Sequence, residues 1–257
     1  MKFPGNISYY LKPKQNKLLP NNLADLIDCN VKTKSINRVE EYAAELAVDK
    51  TELSIVDMGA GSKNLSGSFR LVSQVYKSSA SSIKYCLFYQ KLIEKFNIKN
   101  ALELGTSLGV GTMSFAIASS DINVTTIEAC PQTISFTEEK FNIKNVNNVR
   151  FINNTFDEVF KQNALIDEKF DLVFIDGNHV SESTIYYFNY ISQNLAAEKC
   201  VFLFDDIDWT RDMHKAWKHI SQQNSEFLRL NIGRIGVVFF GYSEFEAREI
   251  SVKITYS

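Results

Sequence analysis

From Asn100 onward the chain repeats one pattern: a short apolar run, a turn, then apolar residues at helical spacing. The strand-like runs are Ala101–Leu104, Val124–Ile127, Val149–Ile152, Leu172–Ile175 and Cys200–Phe204. Helical patterns fall between and after them, near 110–119, 132–142, 155–163, 180–193 and 211–222. Repeated β-α units predict a parallel sheet covered by helices on both faces, with right-handed crossovers. Two further strand patterns, Glu226–Asn231 and Ile235–Phe240, are joined by Gly233-Arg234 and predict a terminal antiparallel pair.

The first hundred residues read differently. An irregular start gives way to one or two helices, with Val39, Tyr42, Ala43, Leu46 and Ala47 at helical spacing. A short strand-like run, Leu53 to Asp57, enters the turn Met58-Gly59-Ala60-Gly61-Ser62. Helical patterns follow near 68–77 and 80–97. Tyr85, Phe88, Tyr89, Leu92, Ile93 and Phe96 mark one apolar face of the second. The expected architecture is therefore α/β. An N-terminal helical extension, 1–98, precedes a Rossmann-like, doubly wound domain, 99–257, whose seven-stranded, mostly parallel sheet has its last strand antiparallel.

Composition narrows the function classes. The net charge of −2 carries no basic excess, so nucleic acid is not an expected partner. No run of about 18 apolar residues predicts a membrane span. Met1 to Pro20 is polar and lacks the apolar core of a signal peptide. Cys29, Cys86, Cys130 and Cys200 are scattered, with no C-x-x-C, and read as reduced, mostly buried thiols of a cytoplasmic protein.

The chemistry concentrates where the first repeat turns. Ala101-Leu102-Glu103-Leu104 runs into Gly105-Thr106-Ser107-Leu108-Gly109-Val110-Gly111. Glycines let backbone approach a ligand, and the following helix start offers free N–H groups to an anion. Glu103, two residues before the first glycine, would repel a pyrophosphate but suits a ligand carrying an amino group, such as S-adenosylmethionine. Glu128 ends the next strand, about 20 residues past the turn, where a carboxylate can accept hydrogen bonds from both ribose hydroxyls. The other glycine turn, Gly59 to Ser62, has no such acid after it. It reads as a tight connection or as a loop at the mouth of the site. A G-x-x-x-G-x-G spacing also occurs in short-chain dehydrogenases, which use a nicotinamide. Their Tyr-x-x-x-Lys pair is found here only at Tyr10 and Lys14, ahead of the sheet, where it cannot serve.

Two later strand ends carry acids. Asp176-Gly177-Asn178-His179 follows one, and Asp205-Asp206 the other. Ligands in open parallel sheets lie at the carboxyl ends of strands, so these groups converge on one rim. Asp176, Asp205 and Asp206 suit a hard cation such as Mg2+. His179, about one helical turn past Asp176, is placed to take a proton from a substrate hydroxyl. Methyl transfer from a sulfonium needs mostly alignment and exclusion of water, but an alcohol oxygen needs its proton removed first. Both halves of the constellation then have a use.

These residues resemble class I S-adenosylmethionine-dependent methyltransferases over roughly 100 to 240. The D-G-x-H segment with the Asp205-Asp206 pair resembles the bacterial O-methyltransferase subgroup that includes macrolide sugar O-methyltransferases. The resemblance implies that Glu103, Gly105, Thr106, Ser107 and Gly109 cradle the methionine part of S-adenosylmethionine. It places Glu128 on the ribose, and Asn154, Thr155 or Asp157 near the adenine. It implies Mg2+ on Asp176, Asp205 and Asp206, with His179 as base and Asp176 also lining the cofactor. The implied reaction is methyl transfer to a small-molecule hydroxyl. The surface of the N-terminal helices is a candidate homodimer interface. N-methyl transfer and a cofactor-binding but non-catalytic role are the alternatives.

Overall fold

The computed structural model describes residues 19–30, 32–56 and 68–254. The Asp57–Ser62 turn and the Tyr10/Lys14 pair lie outside the described residues. After a short 3-10 turn come α1 (Ala24–Ile27), α2 (Ile36–Val48), β1 (Glu52–Ile55), β2 (Ser68–Leu71), α3 (Val72–Ser79) and α4 (Ile83–Phe96). The repeats follow as β3 (Asn100–Leu104), α5 (Val110–Ala116), β4 (Asn123–Glu128), α6 (Pro131–Ile143), β5 (Val149–Asn153), α7 (Phe156–Lys161) and β6 (Phe170–Ile175). They continue with α8 (Ser181–Asn194), β7 (Ala196–Phe204) and α9 (Arg211–Gln223), and close with β8 (Arg229–Ile232), β9 (Ile235–Phe240) and β10 (Glu249–Val252).

The main sheet has the strand order β10-β8-β9-β7-β6-β3-β4-β5. Neighbours β5, β4, β3, β6 and β7 are all parallel. Strand β9 runs antiparallel to both β7 and β8, the tight pair expected from Gly233-Arg234. Among the described residues the sheet has eight strands, not the expected seven. The addition is β10, which pairs parallel with β8 at the edge and has only four residues of weak alternation to announce it. The region near 68–77, read as helical, divides into β2 and α3, because 68–71 pairs antiparallel with β1.

Alternate residues of the central strands feed two cores. Ala101, Phe174 and Leu203 face one layer, with Phe115, Phe141 and Leu92 from the helices. Leu102, Val173 and Phe202 face the other, with Val159, Phe188 and Ile220. The first core also takes Leu26, Val39, Leu46 and Val72, so the N-terminal helices share it with the sheet. All four cysteines are buried and unpaired. Among the described residues, no helix is long and apolar enough to cross a membrane.

Candidate active site

The sheet reverses its strand order at β3, with β4 and β5 on one side and β6 and β7 on the other. At the carboxyl end of β3 the turn begins with Gly105 at φ 106°. A Cβ there would sit 2.1 Å from the carbonyl oxygen of Asp176, so only glycine lets the two loops meet. Gly105 N–H donates to Ile127 O, and Asp176 N–H to Leu104 O, extending the ladder one step past the strands. Gly109, at φ 72°, precedes α5; a Cβ there would lie 2.5 Å from Thr137 Cγ2.

Glu103 is buried on the face that β3 turns toward α5. Thr112 Oγ1 and Thr126 Oγ1 both donate to its Oε2, at 2.5 and 2.6 Å. Thr126 spends its proton on Glu103, so Thr106 Oγ1, 2.6 Å away, is the donor in the next link. Burial pushes the Glu103 carboxyl up to about 8; the two threonine bonds oppose this, and the charge of Glu128 adds to it. Its other oxygen, Oε1, lies by the bare Cα of Gly111, where a Cβ would be only 3.0 Å away. Glu103 thus lines a cleft of about 280 Å3, open mouth included, with Ser79, Ser81, the 105–111 turn, Phe174 and Asp176.

Glu128, at the end of β4, holds that turn. Its Oε2 accepts from Ser107 N–H at 3.0 Å and its Oε1 from Cys130 N–H at 2.9 Å. Ser107 itself has φ 46°. Thr137 Oγ1 donates to Ser107 O, and Tyr42 Oη on α2 donates to Leu108 O at 2.7 Å. Ser79 Oγ lies 3.1 Å from Ser107 Oγ. Tyr42 reads in the sequence only as part of a helix face, and Thr137 and Ser79 carry no signal there. A hydroxyl at a helical position has no pattern until the turn it serves is in place.

Thr155 caps α7, accepting from Glu158 N–H, and Asn154 Oδ1 accepts from Thr155 N–H. Asp157 is exposed in the first turn. Beyond Asp176, the backbone of Asn178 and His179 takes positive φ values, 65° and 29°. His179 Nε2 lies 3.9 Å from Asp176 Oδ1, and its ring packs edge-on against Trp209, centroids 5.3 Å apart. The Asp176 carboxyl is raised well above its usual range by burial first and by the neighbouring Asp205 charge second. Asp206 is raised for the same two reasons, with Arg234 and His179 opposing.

The acidic rim also holds a basic residue that no motif in the sequence announces. Arg234, in the β8–β9 turn, donates through Nε to Asp205 Oδ1 at 2.6 Å and through Nη2 to Asp205 Oδ2. The same Nε is 3.0 Å from Asp206 Oδ1. Asp205 is 2% exposed. Among the described residues, no three His, Cys, Asp or Glu side chains are arranged to hold a metal ion. Asp205, Asp206 and Asp208 do not cap the following helix, since Thr210 does so by accepting from Met213 N–H. His214 is exposed and pairs with Asp208.

Residues 102–207, from β3 to the loop after β7, match the family model described as a methyltransferase domain. That match bears out the expected enzyme class, a methyltransferase. The fold recurs in solved structures. An O-methyltransferase from Bacillus cereus, in complex with S-adenosylhomocysteine, is 18% identical, with 84% of this chain and 94% of that one covered at a TM-score of 0.55. The O-methyltransferase TomG from Streptomyces achromogenes, involved in tomaymycin synthesis and solved with S-adenosylmethionine, is 13% identical, covering 82% and 92% at 0.56. A methyltransferase from Podospora anserina, bound to S-adenosylhomocysteine, is 17% identical, covering 63% and 80% at 0.53. At these identities the likeness speaks for the fold. No curated protein matches the chain.

Proposed function

We propose that this S-adenosylmethionine-dependent methyltransferase transfers the methyl group to the oxygen of a small-molecule hydroxyl. The observation that carries the reading is the convergence of Glu103, the glycine turn and Glu128 with the Asp176–His179 loop at the reversal point of the sheet. Glu103 and the backbone of Gly105, Thr106, Ser107 and Gly109 receive the methionine end of the cofactor. Glu128 accepts from the ribose hydroxyls, and Asn154, Thr155 and Asp157 border the adenine. His179 is the base, and Asp176, 3.9 Å from its Nε2, supports the imidazolium that forms. The resemblance of the D-G-x-H segment to sugar O-methyltransferases supports a hydroxyl as acceptor. In that resemblance the acids carry Mg2+; here Asp205 and Asp206 are paired with Arg234 instead. The net charge of −2 favours a small acceptor over nucleic acid, and four unpaired buried cysteines fit a cytoplasmic setting.

Calorimetric titration with S-adenosylhomocysteine, with NADH as control ligand, tests the cofactor. Micromolar binding with no response to NADH is expected; binding of NADH alone would return the turn to a dehydrogenase. The same titration tests Glu103. Its carboxyl is mostly neutral at pH 7, and the amino group of the ligand favours the charged form, so binding below pH about 8 releases a proton. Affinity then rises with pH from 6 to 8, by up to about tenfold per pH unit, and levels off above. A flat profile, or one unchanged in Glu103→Gln, removes Glu103 from the amine.

His179→Ala is expected to lower turnover roughly 100- to 10,000-fold. Its S-adenosylhomocysteine affinity should stay near that of the parent, because the imidazole faces the acceptor. Equal turnover would exclude His179 as the base.

A further inference from the structure

The three acids at the ends of β6 and β7 are the natural place to look for a metal, and their surroundings decide otherwise. A divalent cation of the Mg2+ class needs oxygen atoms with free lone pairs directed at one point about 2.1 Å away. Both oxygens of Asp205 are already taken by the guanidinium of Arg234, and Oδ1 also accepts from Asp206 N–H at 2.8 Å. The guanidinium contacts two of the three would-be ligands, and its charge, stabilised further by all three acids, opposes a dication beside it. The residues present do not fit the metal.

Arg234 is also fixed from its backbone outward. Its N–H donates to Tyr85 Oη on α4 at 3.3 Å, and its carbonyl accepts from Ile207 N–H, just past the acid pair. Gly233 before it has φ 62°, and a Cβ there would lie 2.6 Å from Tyr85 Oη. A turn pinned on both sides delivers the guanidinium to the acids as a permanent part of the rim. The side chain is 42% exposed.

We propose that Arg234 takes the place of the metal: its guanidinium is the resident cation of the site, positions Asp205 and Asp206, and makes methyl transfer independent of divalent ions. The inference rests on the methyltransferase reading for the reaction, but its cation assignment is a property of the folded protein alone. Arg234 is a positioning residue, acting through the acids beside it. The acceptor then needs no second oxygen to complete a metal shell, so simple hydroxyl compounds qualify alongside vicinal diols.

The test is Mn2+ titration followed by electron paramagnetic resonance, with Mg2+ as competitor, on the full-length protein and on Arg234→Ala. The parent is expected to hold no Mn2+ that Mg2+ displaces. Arg234→Ala, with its acids uncompensated, is expected to gain one such site and to recover part of its lost melting temperature when Mn2+ is added. If Arg234→Ala does not fold, Arg234→Gln, which keeps N–H donors for Asp205 without the charge, carries the same comparison. Arg234→Lys, which keeps the charge, should gain no site. A stoichiometric Mn2+ site in the parent overturns the inference, as does a folded neutral variant that gains none. Turnover of the parent, once an acceptor is found, should survive chelation. A parent that fails to bind S-adenosylhomocysteine would sink the methyltransferase reading while leaving the Mn2+ result to judge Arg234.

Discussion

Replacing Gly105 by alanine is expected to abolish S-adenosylhomocysteine binding. A Cβ at this position would stand 2.1 Å from the Asp176 carbonyl oxygen, a backbone atom that cannot swing aside, and φ 106° is a conformation side chains rarely adopt. The strained backbone alone costs about 1–3 kcal/mol. Relief requires the β3 and β6 loops to part, which moves the turn and Asp176 at once. Gly241 offers a matched control. A Cβ there would lie 1.9 Å from Glu198 O, an equally severe clash, but at the opposite end of β7 from Asp205. Gly241→Ala should therefore lower the melting temperature while its surviving folded fraction binds the ligand normally. If both variants bind alike when folded, the close approach at Gly105 serves packing and not the cofactor.

Glu128→Ala should weaken S-adenosylhomocysteine at least tenfold, and on the order of 100- to 10,000-fold if both ribose bonds are lost at 1.5–3 kcal/mol each. Two effects add. The carboxylate no longer meets the ribose, and the N–H groups of Ser107 and Cys130 lose their acceptor. Ser107, at φ 46°, then has less to hold it. Glu128→Gln, which keeps one acceptor oxygen, should fall between the two. Calorimetry separates the variants, and an affinity unchanged in Glu128→Ala would end the ribose assignment.

Much of the sheet was legible because buried parallel strands announce themselves. Leu172–Ile175 is apolar on both faces, Val124 and Ile127 put one apolar side chain on each face of theirs, and the structure extends each run by only one or two residues. Strand β10 was missed because an edge strand needs little apolar pattern. The short β2 was read as helix, since Phe69, which is exposed, and Leu71 sit at spacings compatible with either. At the site, the acids were legible because carboxylates at strand ends are unusual. Their partners were not. Arg234 is one of many basic residues, and only the β8–β9 pairing carries it to Asp205. Thr112 and Thr126 looked like ordinary core threonines until Glu103 proved to be turned inward between them.

The turn that leaves β3 is tied down by side chains from far apart in the chain: Tyr42, Ser79, Glu128 and Thr137. Two of these four tethers come from the helices that precede the matched domain. Those helices cannot be exchanged as an accessory without loosening the turn. Ser79 also lines the cleft, so exchanging its helix would alter the turn and the cleft wall together.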